Sequence, residues 1–541
     1  MKKLLSLKIL IFFGFVCLLF FYSCTKEHFK IYENKDSAKT LNSFKISEQE
    51  AITSLIGFLN SSSDNYVSTK SGGVLNRLSR KHLGKIQVVR STEKMRKILS
   101  RIQEQTSCTS TKSFGGGGMQ IDSSNVLPDT LIYVVNFDDD GFALLSADRR
   151  ISSSIIAVVE SGSISPDDFN LAESLQQMFS DTLVNYGLHS WGLDEDGDEI
   201  AWEDTISVSL NEDEMMAIDS SLVFNNPSEL IIEMISDYVV NELVNPSPHS
   251  PGNGINPGED WQNPETGQTG QEGGGPSGGN NGSSSGGNNP LLFNWVTVSE
   301  VPEMLETWWF QGRSLNRFTP LKSGKHTLLG CGAIAVAQII AYHEFPQYYY
   351  LNNHLCDWSL LKSVYLRNEP YYSVDSTSHA VSELSHFLYS IAIACCTDFG
   401  LKSSTSLASK CKRAFHLFSY NNIHKYCGYH GHRIINMLND GNPVFISALK
   451  KLRLFHYPSG HSWVIDGYRI QELRDNYGSV YNERTLVHCN WGWGGSYNGY
   501  YSSGVFSLRS CVEDFIAPEG ELDGDNYNWW FRIITYDNPN R

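Results

Sequence analysis

Gly330-Cys331-Gly332-Ala333-Ile334-Ala335-Val336-Ala337-Gln338-Ile339-Ile340-Ala341-Tyr342-His343 reads as one buried helix, stopped by Pro346. Its apolar positions fall on nearly every face, which leaves no side for water. Glycines on both sides of Cys331 let another part of the chain approach closely. The thiol thus opens a helix, where unpaired N–H groups and the macrodipole favour the thiolate. A structural thiol also sits well in such a place, so chemistry at Cys331 requires a base supplied from elsewhere.

Gly460-His461-Ser462-Trp463-Val464-Ile465-Asp466-Gly467-Tyr468 reads as a strand, following a helix-plus-strand pattern over 434–446. Alternation places His461, Trp463 and Ile465 on one face and Ser462, Val464 and Asp466 on the other. A histidine at a strand entry can offer its ring to a helix N-terminus across a cleft, and an imidazolium beside a thiolate both stabilises it and protonates a leaving amine. By itself His461 is more often a satisfied surface or core histidine. A third piece, Leu486-Val487-His488-Cys489-Asn490-Trp491-Gly492-Trp493-Gly494-Gly495 followed by Asn498-Gly499-Tyr500, ends a strand in a glycine-rich aromatic turn. Asn490 there could orient the imidazole, with Trp491 or Trp493 shielding that bond from water.

Outward from these motifs the chain divides. Residues 246–290 are dominated by Gly, Ser, Asn and Pro and read as a flexible linker. Residues 291–541 hold the three pieces, and residues 45–245 read as a small α+β domain. In the latter, Ser47-Glu48-Gln49-Glu50 fits a capping box ahead of Ile52, Leu55, Ile56 and Leu59 at helical spacing. Strands are expected at 131–137, 142–147 and 155–159, and a second helix at 230–244. Nothing in this domain sets a nucleophile beside a base. Asp194, Asp196 and Asp198 surround Gly197, but the glycine is out of register for an EF-hand loop, and a solvated acidic loop accounts for them.

Residues 1–24 read as an export leader. Lys2, Lys3 and Lys8 precede an uncharged, mostly apolar run over 9–22, short for a membrane-spanning helix. The run ends in Phe21-Tyr22-Ser23-Cys24, which resembles the lipobox of bacterial lipoproteins, so Cys24 is the lipidation candidate. Ordinary secretion and a retained anchor are the alternatives; all three put the folded part outside the cytoplasm. Of eleven cysteines, removing Cys17 and Cys24 with the leader leaves nine, an odd number from which one unpaired thiol is expected on arithmetic alone. With 42 Lys and Arg against 59 Asp and Glu the net charge is -17, which argues against nucleic-acid binding as the main function.

Together the motifs resemble the streptopain-type cysteine peptidases, on the papain-like α+β fold. The resemblance runs through most of 294–507. Trp309-Phe310-Gln311, with Gln311 twenty residues before Cys331, is similar to the family's Trp-x-Gln segment; the Cys331 helix, the Gly460-His461 strand and the Asn490 to Gly495 turn follow in the family's order. The resemblance implies that Cys331 is the nucleophile and His461 the general base and acid. Gln311 with the Cys331 N–H would form the oxyanion hole, and Asn490 or Trp491 would orient His461. It implies protein or peptide substrates, an apolar preference two residues before the cut, and no metal or organic cofactor. Gly332 departs from the valine usual after the nucleophile, and the Asn316 region lacks the usual Pro-Tyr-Asn. A weaker likeness over 45–165, through 141–148 and 157–162, is to the family's inhibitory propeptide. It implies a latent zymogen released by a cut in the 246–290 linker, at the cell surface on a lipid anchor in the outer membrane or secreted.

Three competitors remain open. A Cys–His pair also serves acyl transfer or amide cleavage of non-protein substrates, and a surface binding protein could retain a relict cleft. His424, Cys427, His430 and His432 are ligand-like in type but fit no familiar zinc spacing, and a His-rich loop before a helix at Arg433 is expected there. Lys450, Lys451, Arg453 and His456 in the loop 449–459 would favour acidic substrates or simply face solvent.

Overall fold

The computed structural model describes residues 44–60, 81–100, 127–176, 191–193, 199–201, 227–244, 293–346, 350–351, 354–355, 357–367, 373–450, 460–506 and 529–541. The leader with Cys24, the linker 246–290, Asp194, Asp196, Asp198 and residues 451–459 lie outside the described residues.

Eleven strands form one antiparallel sheet that draws on both halves of the chain. From the N-terminal half come β1 (Leu83–Arg90), β2 (Thr130–Phe137), β3 (Phe142–Ser146) and β4 (Ile155–Val159). The C-terminal half supplies β5 (Phe293–Val301), β6 (His424–Cys427), β7 (Val444–Lys450), β8 (Gly460–Asp475), β9 (Val480–Asn490), β10 (Gly499–Ser502) and β11 (Trp529–Thr535). Their order is β1-β2-β3-β4-β10-β9-β8-β7-β11-β6, with β5 also paired to β8. The sixteen-residue β8 is long enough for β7 to cover Gly460 to Ile465 and β5 to cover Tyr468 to Asp475 along the same edge. The linker reading gave no reason to expect a shared sheet. It arises because β10 would otherwise present an unpaired edge, which β4 fills.

Helices cover both faces. The helix α1 (Glu48–Asn60) follows the Ser47 cap, whose Oγ accepts from the Glu50 N–H at 3.2 Å, and it buries Ala51, Leu55, Phe58 and Leu59 at helical spacing. A short helix over 93–100 was not apparent from the sequence. The helix α2 (Pro227–Val244) begins three residues before the expected start, with Pro227 in its first turn, where no N–H is missed. In the C-terminal half, α3 (Cys331–His343), α4 (His379–Ala394) and α5 (Ala408–Leu417) pack on one side of the sheet against Phe445, Val464 and Ile534. On the other side α6 (Gly431–Asn439) and α2 pack over Trp463, Ile465, Val487 and Cys489. The alternation read along β8 therefore separates two cores. Where a His-rich loop was expected, His424 to Cys427 form β6, whose pairing with β11 lies about a hundred residues away in sequence and left no local trace. Among the described residues no helix is long and apolar enough to cross a membrane.

Candidate active site

The Cys331 helix is placed by its glycines. Gly330 adopts φ 93°, a left-handed conformation suited to glycine, and hands the chain into the first turn of α3. A Cβ on Gly332 would lie 2.8 Å from the Cys411 sulfur on α5. The departure from valine at this position thus has a packing cause: α5 comes closer than a side chain would permit. Cys331 is partly exposed, while Ala333 to Ala341 are buried to 2% exposure or less. All six described cysteines are free thiols.

Cys331 faces the start of β8. Although part of the residue is exposed, desolvation around the sulfur raises the thiol pKa, against the N–H groups of Ser462 and Gly332 and the Ser462 hydroxyl, which favour the thiolate. Ser462 directly follows His461, so the helix N-terminus reaches the strand that carries the histidine. His461 is 6% exposed and sits among three indoles, with ring centroids at 4.4 Å from Trp493, 6.1 Å from Trp491 and 6.2 Å from Trp463. Its Nε2 lies 2.8 Å from the Trp491 carbonyl oxygen. A carbonyl only accepts, so that nitrogen carries the proton, and Nδ1 is the one left to act as a base. Burial lowers the pKa of His461 to about 4, with the Trp491 carbonyl opposing. No hydrogen bond joins the Cys331 sulfur to His461 among the described residues.

Asn490 lies elsewhere. Its amide pairs with Gln338 of α3, through Gln338 Nε2 to Asn490 Oδ1 at 3.2 Å and Asn490 Nδ2 to Gln338 Oε1 at 3.4 Å, and Nδ2 also donates to the Thr307 carbonyl at 3.0 Å. The structure brings Trp491 to His461 and leaves the Asn490 amide on the helix. Gln338 also accepts from Thr307 Oγ1 at 3.2 Å and from the Trp309 N–H at 3.4 Å. It therefore ties together the three segments that carry Cys331, Gln311 and Trp491. Gln311 is half-buried; its carbonyl accepts from the Leu329 N–H at 2.9 Å, and the preceding Phe310 bridges to Trp493. The first holds the Gln311 segment beside the residues that lead into Cys331, the second beside the Trp493 turn.

A buried ionic cluster lies on the neighbouring strands. His488 Nδ1 lies 2.6 Å from Asp466 Oδ1 and its Nε2 lies 3.4 Å from Glu160 Oε1. Arg367 pairs with Glu160 at 2.7 Å and also with Glu303, and Tyr500 donates to Glu303 Oε2 at 2.9 Å. The facing anions raise His488 to about 10 against the cost of burial, and Arg367 holds Glu303 down to about 2. Gln338 could have been suspected as the one amide in an otherwise apolar helix. Ser462, Glu303, Arg367 and Glu160 had no such marker, because the register of strands far apart in sequence brings them in. His424, Cys427, His430 and His432 gather into no metal-ligand group; no cluster of three or more His, Cys, Asp or Glu side chains suited to a metal occurs among the described residues.

Residues 309–501 match the model of the Peptidase C10 family. Streptopain of Streptococcus pyogenes is 26% identical over 258 residues, covering 40% of this chain and 57% of that protein, and streptopain of serotype M1 gives the same figures. The chain thus spans a little over half the length of the curated relatives it matches. Among solved structures, active wild-type interpain A cysteine protease of Prevotella intermedia aligns at 22% identity over 38% of this chain and 87% of its own, with a TM-score of 0.30. A prointerpain A fragment of Prevotella intermedia aligns at 15% identity over 75% of this chain and 96% of its own, with a TM-score of 0.38. Four motifs in order, an α+β fold and a matching family model lead to one conclusion: over residues 309–501 the chain is similar to the peptidase C10 family.

Proposed function

We propose that the protein is an exported cysteine endopeptidase made as a latent precursor, with residues 45–245 as its inhibitory region, 246–290 as the activation linker and 291–541 as the peptidase. The observation that carries this is the meeting of Cys331, at the mouth of α3, with the β8 strand at Ser462, next to His461. In the active form Nδ1 of His461 takes the Cys331 proton while Nε2–H stays on the Trp491 carbonyl. The thiolate attacks a substrate peptide carbonyl, and the Gln311 amide and Cys331 N–H receive the oxyanion. His461 then protonates the departing amine, and water hydrolyses the thioester. Every step uses side chains and main-chain groups of this chain.

Latency follows from the protonation states. Burial raises the Cys331 thiol and lowers His461 to about 4, so both are neutral near pH 7 and no thiolate–imidazolium pair stands ready. Admitting water to the cleft on removal of the N-terminal region would relax both shifts. The same proposal puts the leader, with Cys24 lipidated, at the outer membrane or sends the protein out by ordinary secretion. Protein or peptide substrates fit a chain whose net charge of -17 argues against nucleic acid as its main partner.

A time course of the chain without its leader, wild type beside Cys331→Ala, followed by gel and by casein hydrolysis under thiol reductant, tests this. Self-cleavage within 246–290 with gain of activity in the wild type alone is the expected result. A chain cut in the linker by added protease that still leaves casein intact would overturn it. Cys24→Ala should lose incorporated acyl label and leave the membrane fraction; unchanged partitioning would remove the lipid anchor.

A further inference from the structure

The contact between the two halves of the chain is a strand addition that ends in a buried charge. β4 lies antiparallel to β10, with Ala157, Val158 and Val159 opposite Tyr501, Tyr500 and Gly499. A Cβ on Gly499 would fall 2.4 Å from the Val158 carbonyl oxygen, so the close approach depends on glycine there. Immediately past β4, the Glu160 N–H donates to the Asn498 carbonyl at 2.8 Å, and the Glu160 side chain turns inward to 1% exposure. It ends between Arg367 and His488, two cations of the C-terminal half whose side chains are 8% exposed or less. Main-chain pairing of this kind gives affinity with little discrimination, whereas a side chain seated in a pocket gives selectivity.

We propose that Arg367 and His488 form a carboxylate seat on the peptidase half, and that Glu160 is the charged key by which the N-terminal region is held on it. This rests on the reading of 45–245 as an inhibitory region and names the contact that holds it. The partner such a seat fits is an extended apolar strand that pairs with β10 and carries an acidic residue just beyond its end. Arg367 and His488 each keep a second anion, Glu303 and Asp466, so withdrawing Glu160 strands no buried cation. The seat is also incompletely bonded: Glu160 Oε2 and His488 Nε2 are buried without a hydrogen-bond partner. A contact rich in charge but short of hydrogen bonds, on a surface left neutral by departure, suits a domain that must first hold and then leave.

The test needs no catalysis. In the full chain without its leader, bearing Cys331→Ala, a site-specific protease sequence placed within 246–290 is cut, and retention of the N-terminal fragment is followed by size-exclusion chromatography across dilution. The parent fragments should co-elute. Glu160→Gln should separate at about a hundredfold higher protein concentration, the effect of unpairing a buried interfacial charge. Ser161→Ala, which loses only a 2.8 Å bond to the Gly495 carbonyl, should shift it by less than about tenfold. Circular dichroism of the uncut variants checks folding, and Glu160→Asp, too short to reach both cations, replaces Gln if that variant does not fold. Equal retention of Glu160→Gln and parent, or parent fragments that separate at once, would overturn the proposal. Because Cys331 is absent, either result stands apart from whether the chain cleaves casein.

Discussion

Two buried histidines of one sheet behave in opposite ways. His461 opens β8 and His488 lies near the end of β9, both at 6% exposure or less. His461 is enclosed by indole rings with one carbonyl as partner, and its pKa falls to about 4; His488 is enclosed by Asp466 and Glu160, and its pKa rises to about 10. Burial opposes the charged form in both, so the partners and not the depth set the outcome. An aromatic enclosure keeps a base neutral and available, whereas an acidic enclosure makes a fixed cation fit for holding structure.

The strongest way to sharpen this contrast is to remove each histidine. His461→Ala, like Cys331→Ala, should lower casein hydrolysis by the linker-cut chain about a thousandfold or more with the fold retained. His488→Ala should instead show first in thermal unfolding. Asp466→Asn breaks the ionic side directly: it removes the closest anion from a buried cation, and a loss of about 3–5 kcal/mol is expected by denaturant titration. A melt unchanged from wild type would mean that His488 is neutral.

The acid limb of stability separates the two environments next. Burial lowers both His461 and His343 to about 4, so between pH 6.5 and 4 the unfolded chain binds more protons than the folded one. Stability is kept above 6.5 and falls as pH drops through that window, by at most about 3 kcal/mol per histidine. His488 runs the other way, contributing fully below 6.5 and losing its contribution as pH rises through about 10. His343→Gln should flatten the acid limb in a pH series of melts, and an unaltered slope would contradict the burial effect at that site. The smallest change is expected from Trp493→Ala, which opens the nearest ring wall: the His461 titration, followed by nuclear magnetic resonance, should move up toward 6.5 while His488 stays put.

Much of the C-terminal half was legible because its motifs are written locally. A helix apolar on every face, glycines around Cys331 and the alternation after His461 each need only a few residues to read, and the structure puts α3, β8 and β9 where those patterns suggest. Local patterns also located β2, β3, β4 and α1. Three things were out of reach. The strand β6 hid in a His-rich stretch because its partner β11 is remote. The role of orienting His461 was open between Asn490 and Trp491, and only tertiary packing set the Asn490 amide against Gln338. Gly332 looked like an unexplained departure until α5 was seen to press on it.

The sequence by itself determined which groups could react and in what order they occur along the chain, since a thiol at a helix N-terminus and a histidine at a strand entry are properties of short segments. Tertiary structure alone decided their state. Burial among Trp463, Trp491 and Trp493 makes His461 neutral, and cross-strand register delivers Asp466 to His488. The pairing of β4 with β10 carries Glu160 some two hundred residues along the chain to Arg367. Desolvation and charge pairing depend on what packs around a group, and that is fixed only when distant segments meet.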